Sequence, residues 1–547
     1  MIKRLVNNKF LNEKPTESVT AAAFIISLAG IASRLLGLVR DRILAGQFGA
    51  GDTLDAYYAA FRIPDLIYNL IIVGALSAAF IPVFTELVTK NKEEDAWKLS
   101  SGVLIILLLT VGTLSIFFAI FAPQLMKLIT PGFSGDKMEL TVTLTRIMFL
   151  SPFLLGISGV FGGILVSFKK FLIYSLAPIF YNVGIIIGAV YFVKMWGPIG
   201  LAWGVALGAG LHMLIQYPSV KFSGFHFRPF FCGIFKNQEI RKVLKLMLPR
   251  TLTVAANQIN LTVVPFFASN LAAGSLTAFY LANNIQSAPL GLFGVSFAIA
   301  VFPTLSSYAA HEKKEEFIDA FSRTFRQILF FIIPFSVFIF VLRAQTVRLA
   351  LGSGKFDWED TITTFQILGL LAISLFAQSL LQLLTRAFYA LQNTKTPLYM
   401  VLISEVINIF LIFVLIGKYG ILGIAAALSI SSIINMSLLI FFLRRKLSRI
   451  DGKTILDSTV RILAAALVGG GVAQIAKYIV GSQGELDTFL AVFRQFAIAG
   501  LLGGAAFFAA SYYFNVKEFF QFKEAITRKL FGAKKTITED TGEVTGI

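Results

Sequence analysis

What most constrains this chain is a succession of apolar runs, each long enough to cross a bilayer. A hydrocarbon core about 30 Å thick needs roughly 20 residues of helix at about 1.5 Å per residue. Fourteen runs meet that length: 18–46, 53–87, 99–122, 138–167, 173–194, 199–217, 245–271, 276–308, 321–343, 359–391, 398–416, 420–443, 457–480 and 489–514. Backbone groups in hydrocarbon must pair within their own segment, so runs of this length are read as helices. The predicted fold is an all-α polytopic membrane protein of about 14 transmembrane helices. A mean hydropathy of +0.77 excludes an ordinary soluble globule.

The connections carry the topology. Links 47–52, 123–137, 195–198, 272–275, 344–358, 417–419 and 481–488 hold few Lys or Arg. The alternate links hold most of them, as at Lys90 and Lys92, Lys169-Lys170, Arg241-Lys242, Lys313-Lys314 and Arg444-Arg445-Lys446. The bias predicts a multi-pass protein with both termini cytoplasmic. It also assigns the net charge of +18 to topology and contact with anionic membrane lipids rather than to nucleic acid. The single cysteine, Cys232, allows no intramolecular disulfide, and His212, His226 and His311 are too scattered for a zinc site. Lys3, Arg4, Lys9 and Lys14 precede a run too long and too charged for a cleaved signal peptide.

The two halves echo one another at an offset of about 220 residues. Ala79-Phe80-Ile81-Pro82 matches Ala300-Val301-Phe302-Pro303, Ala177-Pro178 matches Thr396-Pro397, and Gly197-Pro198-Ile199-Gly200 matches Gly420-Ile421-Leu422-Gly423. Six helices per repeat is an even number, so the repeats are parallel. The predicted organisation is a cytoplasmic segment 1–17, a six-helix repeat 18–217, a linker 218–244, a second repeat 245–443, a linker 444–456, two C-terminal helices 457–514 and a cytoplasmic tail 515–547 that is polar and disordered at its end. Transporters built this way bind cargo between the halves and alternate access; channels and scaffolds share such duplications.

Charge inside the apolar runs is the functional signal, because an arginine at mid-bilayer costs roughly 2.5–3.5 kcal/mol on insertion scales. Arg34, Arg40, Asp41 and Arg42 lie in the first run, and Asp55, Arg62 and Asp65 in the second. Helical positions seven apart fall within about 20° of each other, which puts Arg34 with Asp41, and Asp55 with Arg62 and Asn69. Asp65 joins the second stripe. A guanidinium forks onto phosphate oxygens, suiting a site for an anionic head group. The competing reading is an internal brace, strongest for Arg62–Asp65. Later, Glu405 lies one turn from Asn408, and Asn257, Gln258 and Asn260 cluster in the seventh run. These are candidates for binding a coupling Na+ or H+, against a Glu405 hydrogen-bonded to Ser404 or a neighbouring helix. Arg146, Arg250 and Arg386 lie near run ends, where structural roles are favoured. Glycines at 156, 159 and 162, at 200, 204 and 208, and at 500 and 504 mark close helix packing.

Gly352-Ser353-Gly354-Lys355 lacks the upstream glycine and the following Ser/Thr of a phosphate loop. With no nucleophile–base constellation, no enzyme and no cofactor is expected.

In this order the motifs Ser33-Arg34-Leu35-Leu36-Gly37 with Arg40-Asp41, Phe48-Gly49-Ala50-Gly51, Asp55-Ala56, Phe61-Arg62-Ile63-Pro64, Ala79-Phe80-Ile81-Pro82, Gly163-Ile164-Leu165, Ala177-Pro178 with Asn182, Arg386-Ala387-Phe388-Tyr389-Ala390 and Thr394-Lys395-Thr396-Pro397 resemble the MurJ (MviN) lipid II flippases, of the wider multidrug and polysaccharide exporter superfamily. The resemblance implies a bacterial plasma-membrane flippase for the undecaprenyl-diphosphate-linked peptidoglycan precursor; a monomer is the expected state, which the sequence itself does not encode legibly. It implies a central cationic cavity for the head group, with Arg34, Arg40, Asp41, Asp55 and Arg62 at charged family positions, and a groove at the last two helices for the lipid tail. It also exposes departures: Tyr68 stands where the family usually has a base, Val73 where it has an acid, and Asn284 near an expected arginine. The expected cavity is therefore lopsided, cationic on the N-terminal half and near-neutral on the other. The rival functions are a cation-coupled exporter of small molecules and a non-transporting membrane scaffold.

Overall fold

The computed structural model describes residues 19–73, 79–229, 234–482 and 487–530. Cys232 and the distal tail lie outside them, as do the side chains of Arg250, Asn257 and Asn260. Among the described residues, nine helices are long and apolar enough to cross a membrane, or ten if Trp358–Ile373 and Leu375–Ala390 form one broken span. One of the nine, Phe171–Phe222, has 52 residues and contains two of the apolar runs, 173–194 and 199–217. Runs 18–46, 53–87 and 245–271 fall outside that count, yet their described residues are largely helical. The protein is an all-α, multi-pass membrane protein.

Phe171–Phe222 doubles back at Gly197, whose φ of +60° is open to glycine at little cost. The two arms then zip together on glycine. A Cβ on Gly184 would stand 2.2 Å from Gly208 Cα, and one on Gly188 2.3 Å from Gly204 Cα, so the backbones touch. The repeat shows in the same backbone detail. Positive φ at Asn91, Lys169 and Gly197 recurs at Glu312, Gln392 and Gly420, each about 220 residues later.

The chain forms two compact units. The first comprises Met1–Ala288, Arg343–Ser374 and Asn393–Leu439. Its N-terminal part packs Phe80, Phe84, Trp97, Phe161 and Phe225 into one apolar cluster. The second comprises Pro289–Leu342, Leu375–Gln392 and Ile440–Ile547. In it Gly469 lies against the Gly503 carbonyl, drawing helices Gly452–Gly481 and Phe489–Tyr513 together, while the Phe330 ring packs at a tilt against Phe507 and Phe522. Arg326 and Ser458 both donate to the buried Glu518, tying the Lys517–Leu530 helix to that unit. Large apolar side chains such as Phe410, Phe413, Leu501 and Leu490 are exposed, the outer surface expected of a chain solvated by lipid.

Candidate functional site

All the site residues described here lie in the first unit. The helix Val19–Phe48 carries Arg34, Arg40, Asp41 and Arg42. Asp41 is 2% exposed and fully engaged: Arg40 donates through Nε and Nη2 to its Oδ1 at 3.0 and 2.8 Å, and Asn284 Nδ2 donates to its Oδ2 at 3.0 Å. Arg40 Nη1 reaches Asn182 Oδ1 at 3.1 Å, and the Asn182 amide donates to the Pro178 carbonyl. Asp41 therefore pairs with its chain neighbour, not with Arg34 as the seven-residue spacing suggests. The arginine stem is long enough to curl back across the 100° between adjacent positions, and burial rewards the closest counter-charge. Arg42 donates to the Leu349 and Gly352 carbonyls.

Asp55 is likewise 2% exposed, and its partners come from far along the chain. Its Oδ2 accepts from Lys137 Nζ and the Gly274 amide, both at 2.8 Å; its Oδ1 accepts from the Thr277 amide at 2.9 Å and hydroxyl at 2.7 Å. A carboxylate thus sits on the orphan N–H groups opening the helix Ser275–Pro289, where the helix dipole favours it. Around it the backbones interlock. A Cβ on Gly274, where φ is +84°, would lie 2.1 Å from the Ala50 carbonyl; Ala50 N donates to Asp360 Oδ2; Lys355 N donates to Gly46 O. All of this lies at the lysine-poor links.

The expected ladder of Asp55, Arg62, Asn69 and Asp65 falls across three consecutive segments, with Arg62 and Asp65 together, three residues apart, in the middle one. The helix Asp52–Ala60 ends at Phe61, a new one runs Arg62–Ile67 with Pro64 inside its first turn, and Tyr68–Val73 widens to π-helical turns. Arg62 lies over the Tyr280 ring at 4.5 Å and donates to the Tyr58 carbonyl, while Tyr58 and Tyr280 stack at 5.4 Å. Asp65 is half-buried in the same short helix.

Arg34 is different. It is exposed, gives Nη1 to the Ala288 carbonyl at 3.0 Å, and lines a cavity of about 490 Å³ shared with Tyr68, Tyr174, Ser158, His212 and Gln216. In the helix Lys395–Tyr419, Glu405 is half-buried and Asn408 is 1% exposed, its Oδ1 without a hydrogen-bond partner among the described residues. Ser404 donates to the Ser431 carbonyl, away from Glu405. Of the seventh-run amides, Asn257 and Asn260 have side chains outside the described residues.

A family model described as the lipid II flippase MurJ matches residues 44–493. The chain belongs to this family. A relative from Buchnera aphidicola (subspecies Acyrthosiphon pisum), called a probable lipid II flippase MurJ, is 32% identical over 76% of this chain and 81% of its own length. A solved lipid II flippase MurJ, in an inward closed conformation, superposes with a TM-score of 0.73 at 26% identity, covering 90% of this chain and 99% of that one. An inward-facing multidrug resistance MATE transporter of the MOP superfamily, at 16% identity, shares the fold alone with a TM-score of 0.64 over 76% of this chain and 94% of its own.

Sequence reasoning missed Lys137, Thr277 and Tyr280. Only Lys137 left a signal: it is a lysine on the side that the charge bias keeps poor in lysine. Thr277 and Tyr280 are ordinary residues whose partners lie more than 200 positions away.

Proposed function

We propose that the protein is a lipid II flippase of the bacterial plasma membrane, moving an undecaprenyl-diphosphate-linked head group across by alternating access, with both termini cytoplasmic. The observation that carries this reading is Arg34. Of Arg34, Arg40, Arg42 and Arg62 in the first two runs, Arg34 is the exposed one, and it lines a cavity of about 490 Å³; a guanidinium that cannot deprotonate suits a diphosphate. Arg40 and Asp41 with Asn284 hold the neighbouring wall, and Arg62 with Asp65 extends it. Asp55, Lys137 and the start of the helix Ser275–Pro289 form a knot at the lysine-poor links that must loosen for access to alternate. Glu405 and Asn408, with Asn257 and Asn260, are assigned to a coupling Na+ or H+; the unpartnered Asn408 carbonyl supports this. The protein does no covalent chemistry in this scheme.

Complementation tests it. In a bacterium depleted of its own lipid II flippase, expression of this chain restores growth and shape, and Arg34→Ala abolishes rescue while reaching the membrane at parent levels. Full rescue by Arg34→Ala sinks the gripping role. Absence of rescue by the parent chain, with membrane insertion verified, favours the exporter and scaffold readings.

A further inference from the structure

The histidines of this chain have different settings. His226 and His311 are exposed beyond helix ends, whereas His212 is half-buried inside the helix Gly200–Phe222 and lines the cavity that Arg34 also lines. The gripping of a diphosphate by Arg34 makes no use of it. His212 Nδ1 stands 2.6 Å from Ser158 Oγ on the helix Leu150–Ser167, and the same Oγ is 3.1 Å from the His212 carbonyl. Gln216, one turn on, donates through Nε2 to Ser158 Oγ at 2.5 Å and to the His212 carbonyl at 3.1 Å. A carbonyl only accepts, so the amide nitrogen of Gln216 is the end that faces the cluster.

These distances suit two protonation states. A serine hydroxyl has one proton to give and two lone pairs to receive with. When Nδ1 is bare, the Ser158 hydroxyl donates to it and accepts from Gln216. When the ring is charged, Nδ1–H donates to Ser158 Oγ, which still accepts from Gln216 and turns its own proton to the His212 carbonyl. The exchange needs one hydroxyl rotation and no movement of heavier atoms. The second ring nitrogen, Nε2, has no hydrogen-bond partner among the described residues.

The elements around His212 bring it no acid. Leu150–Ser167 has no titratable side chain, and Phe171–Ile187 brings Tyr174 and Tyr181, the latter edge-on to the His212 ring at 6.4 Å. On Gly135–Met148 the acids Asp136 and Glu139 are exposed, Lys137 pairs with Asp52 and Asp55, and Arg146 donates to the Ala119 carbonyl. Tyr191 and Lys194, which follow Phe171–Ile187, are exposed, as are Tyr217 and Lys221 on the histidine's own helix. The cavity wall adds Tyr68 and Arg34. Among the described residues, the charged group sharing the cavity with His212 is therefore a cation. A protonated ring makes two cations with no acid to offset them, and an entering anion of two charges reverses that balance.

We propose that His212 is a proton-binding site, loaded when a phosphate-bearing anion enters the cavity, so that the protein holds the anion and one proton together. The anion is that of the flippase reading, on which this rests; the proton site is additional to the coupling candidates in Lys395–Tyr419. The proton comes from water, forms one N–H bond on the ring, and returns to water when the anion leaves.

The test uses the full chain in phosphatidylcholine nanodiscs with lipid II as the probe. Its diphosphate is esterified at both ends, so its two charges stay constant from mildly acidic to mildly alkaline pH. Proton uptake on binding makes affinity rise as pH falls. The parent is expected to bind lipid II at least about fivefold more tightly at about pH 5.5 than at about pH 8. His212→Asn keeps a polar group near the Nδ1 position but cannot titrate, and should hold that ratio below about twofold. Ser158→Ala removes the acceptor for Nδ1–H and should give a ratio between the two. In a His226→Gln, His311→Gln background, the ring nitrogen resonances of the remaining histidine report its charge directly, a readout that survives if His212→Asn fails to fold. Saturating lipid II is expected to move that ring from neutral to charged at about pH 6.5. A ring that stays neutral across the range with lipid II bound, or a ratio that His212→Asn leaves at the parent value, overturns the proton site while leaving the flippase reading intact. Lipid II bound at no pH removes the flippase reading and the linkage with it.

Discussion

Arg34 and Arg40 stand six residues apart on one helix and are held in opposite ways. Arg40 is locked among Asp41 and Asn182, with Asn284 closing the far side of the carboxylate. Arg34 touches a helix-end carbonyl and otherwise faces a cavity. Both carry the same insertion penalty, so intramembrane charge by itself does not mark a ligand site. What separates them is whether the protein already supplies the counter-charge. Asp55 belongs with Arg40: its four donors all come from the chain. A saturated group is a brace, and cutting it costs stability. An open group is a grip, and cutting it costs transport.

The comparison breaks most visibly at Asp55. Removing this carboxylate strands three donors and leaves Lys137 with Asp52 Oδ1 at 2.7 Å as its remaining counter-charge, and losing one partner of a buried pair costs about 3–5 kcal/mol. Asp55→Ala is therefore expected to lower the detergent melting temperature more than any other change discussed, and to expose the lysine-poor links to a membrane-impermeant thiol reagent in a Thr53→Cys background. An unchanged melting temperature would remove Asp55 from the braces. Arg40→Ala comes next. Its side chain is 22% exposed, so solvent screens part of the loss, and about 1.5–3 kcal/mol is expected from a hydrogen-bonded charge.

Asn284 sharpens the same contrast with a smaller effect. The family pattern expects an arginine near it, and its amide already touches Asp41. Asn284→Arg alone should move stability by less than about 1 kcal/mol, because a second guanidinium adds a charge-assisted bond and repels Arg40. In the Arg40→Ala background the repulsion is gone, and the same change should recover about 1 kcal/mol. Additive melting shifts across that double-mutant cycle would show that position 284 does not serve Asp41.

The helices were legible because length and apolarity are local properties, and the repeat because its turns use the same backbone, as at Gly197 and Gly420. The charged residues were legible as a set for the same reason. Their pairings were not. The seven-residue rule assumes an unbroken helix, and the second run breaks at Phe61 and Tyr68. It also ignores the reach of an arginine toward its own neighbour, which decided Asp41. The partners of Asp55 at 137, 274 and 277 depend on how loops meet, which no local pattern encodes. The scatter of His212, His226 and His311 along the sequence speaks only to a zinc site; the pairing of His212 with Ser158 is a tertiary fact.

Arg34 should be the least costly of these positions to stability. Its guanidinium is exposed and gives one described hydrogen bond to a carbonyl at a helix end, a contact worth little when solvent competes. Arg34→Ala is expected to change the melting temperature by the equivalent of no more than about 0.5 kcal/mol, the range of an ordinary exposed substitution. Arg34→Lys should melt like the parent yet bind undecaprenyl diphosphate more weakly, since an ammonium keeps the charge and loses the two-pronged geometry. The decisive pattern is the crossing of two rankings: Asp55→Ala worst in melting, Arg34→Ala worst in diphosphate affinity. If Arg34→Ala instead melts as low as Arg40→Ala, the exposed arginine is a brace to the Ser275–Pro289 helix, and the difference between the two arginines collapses.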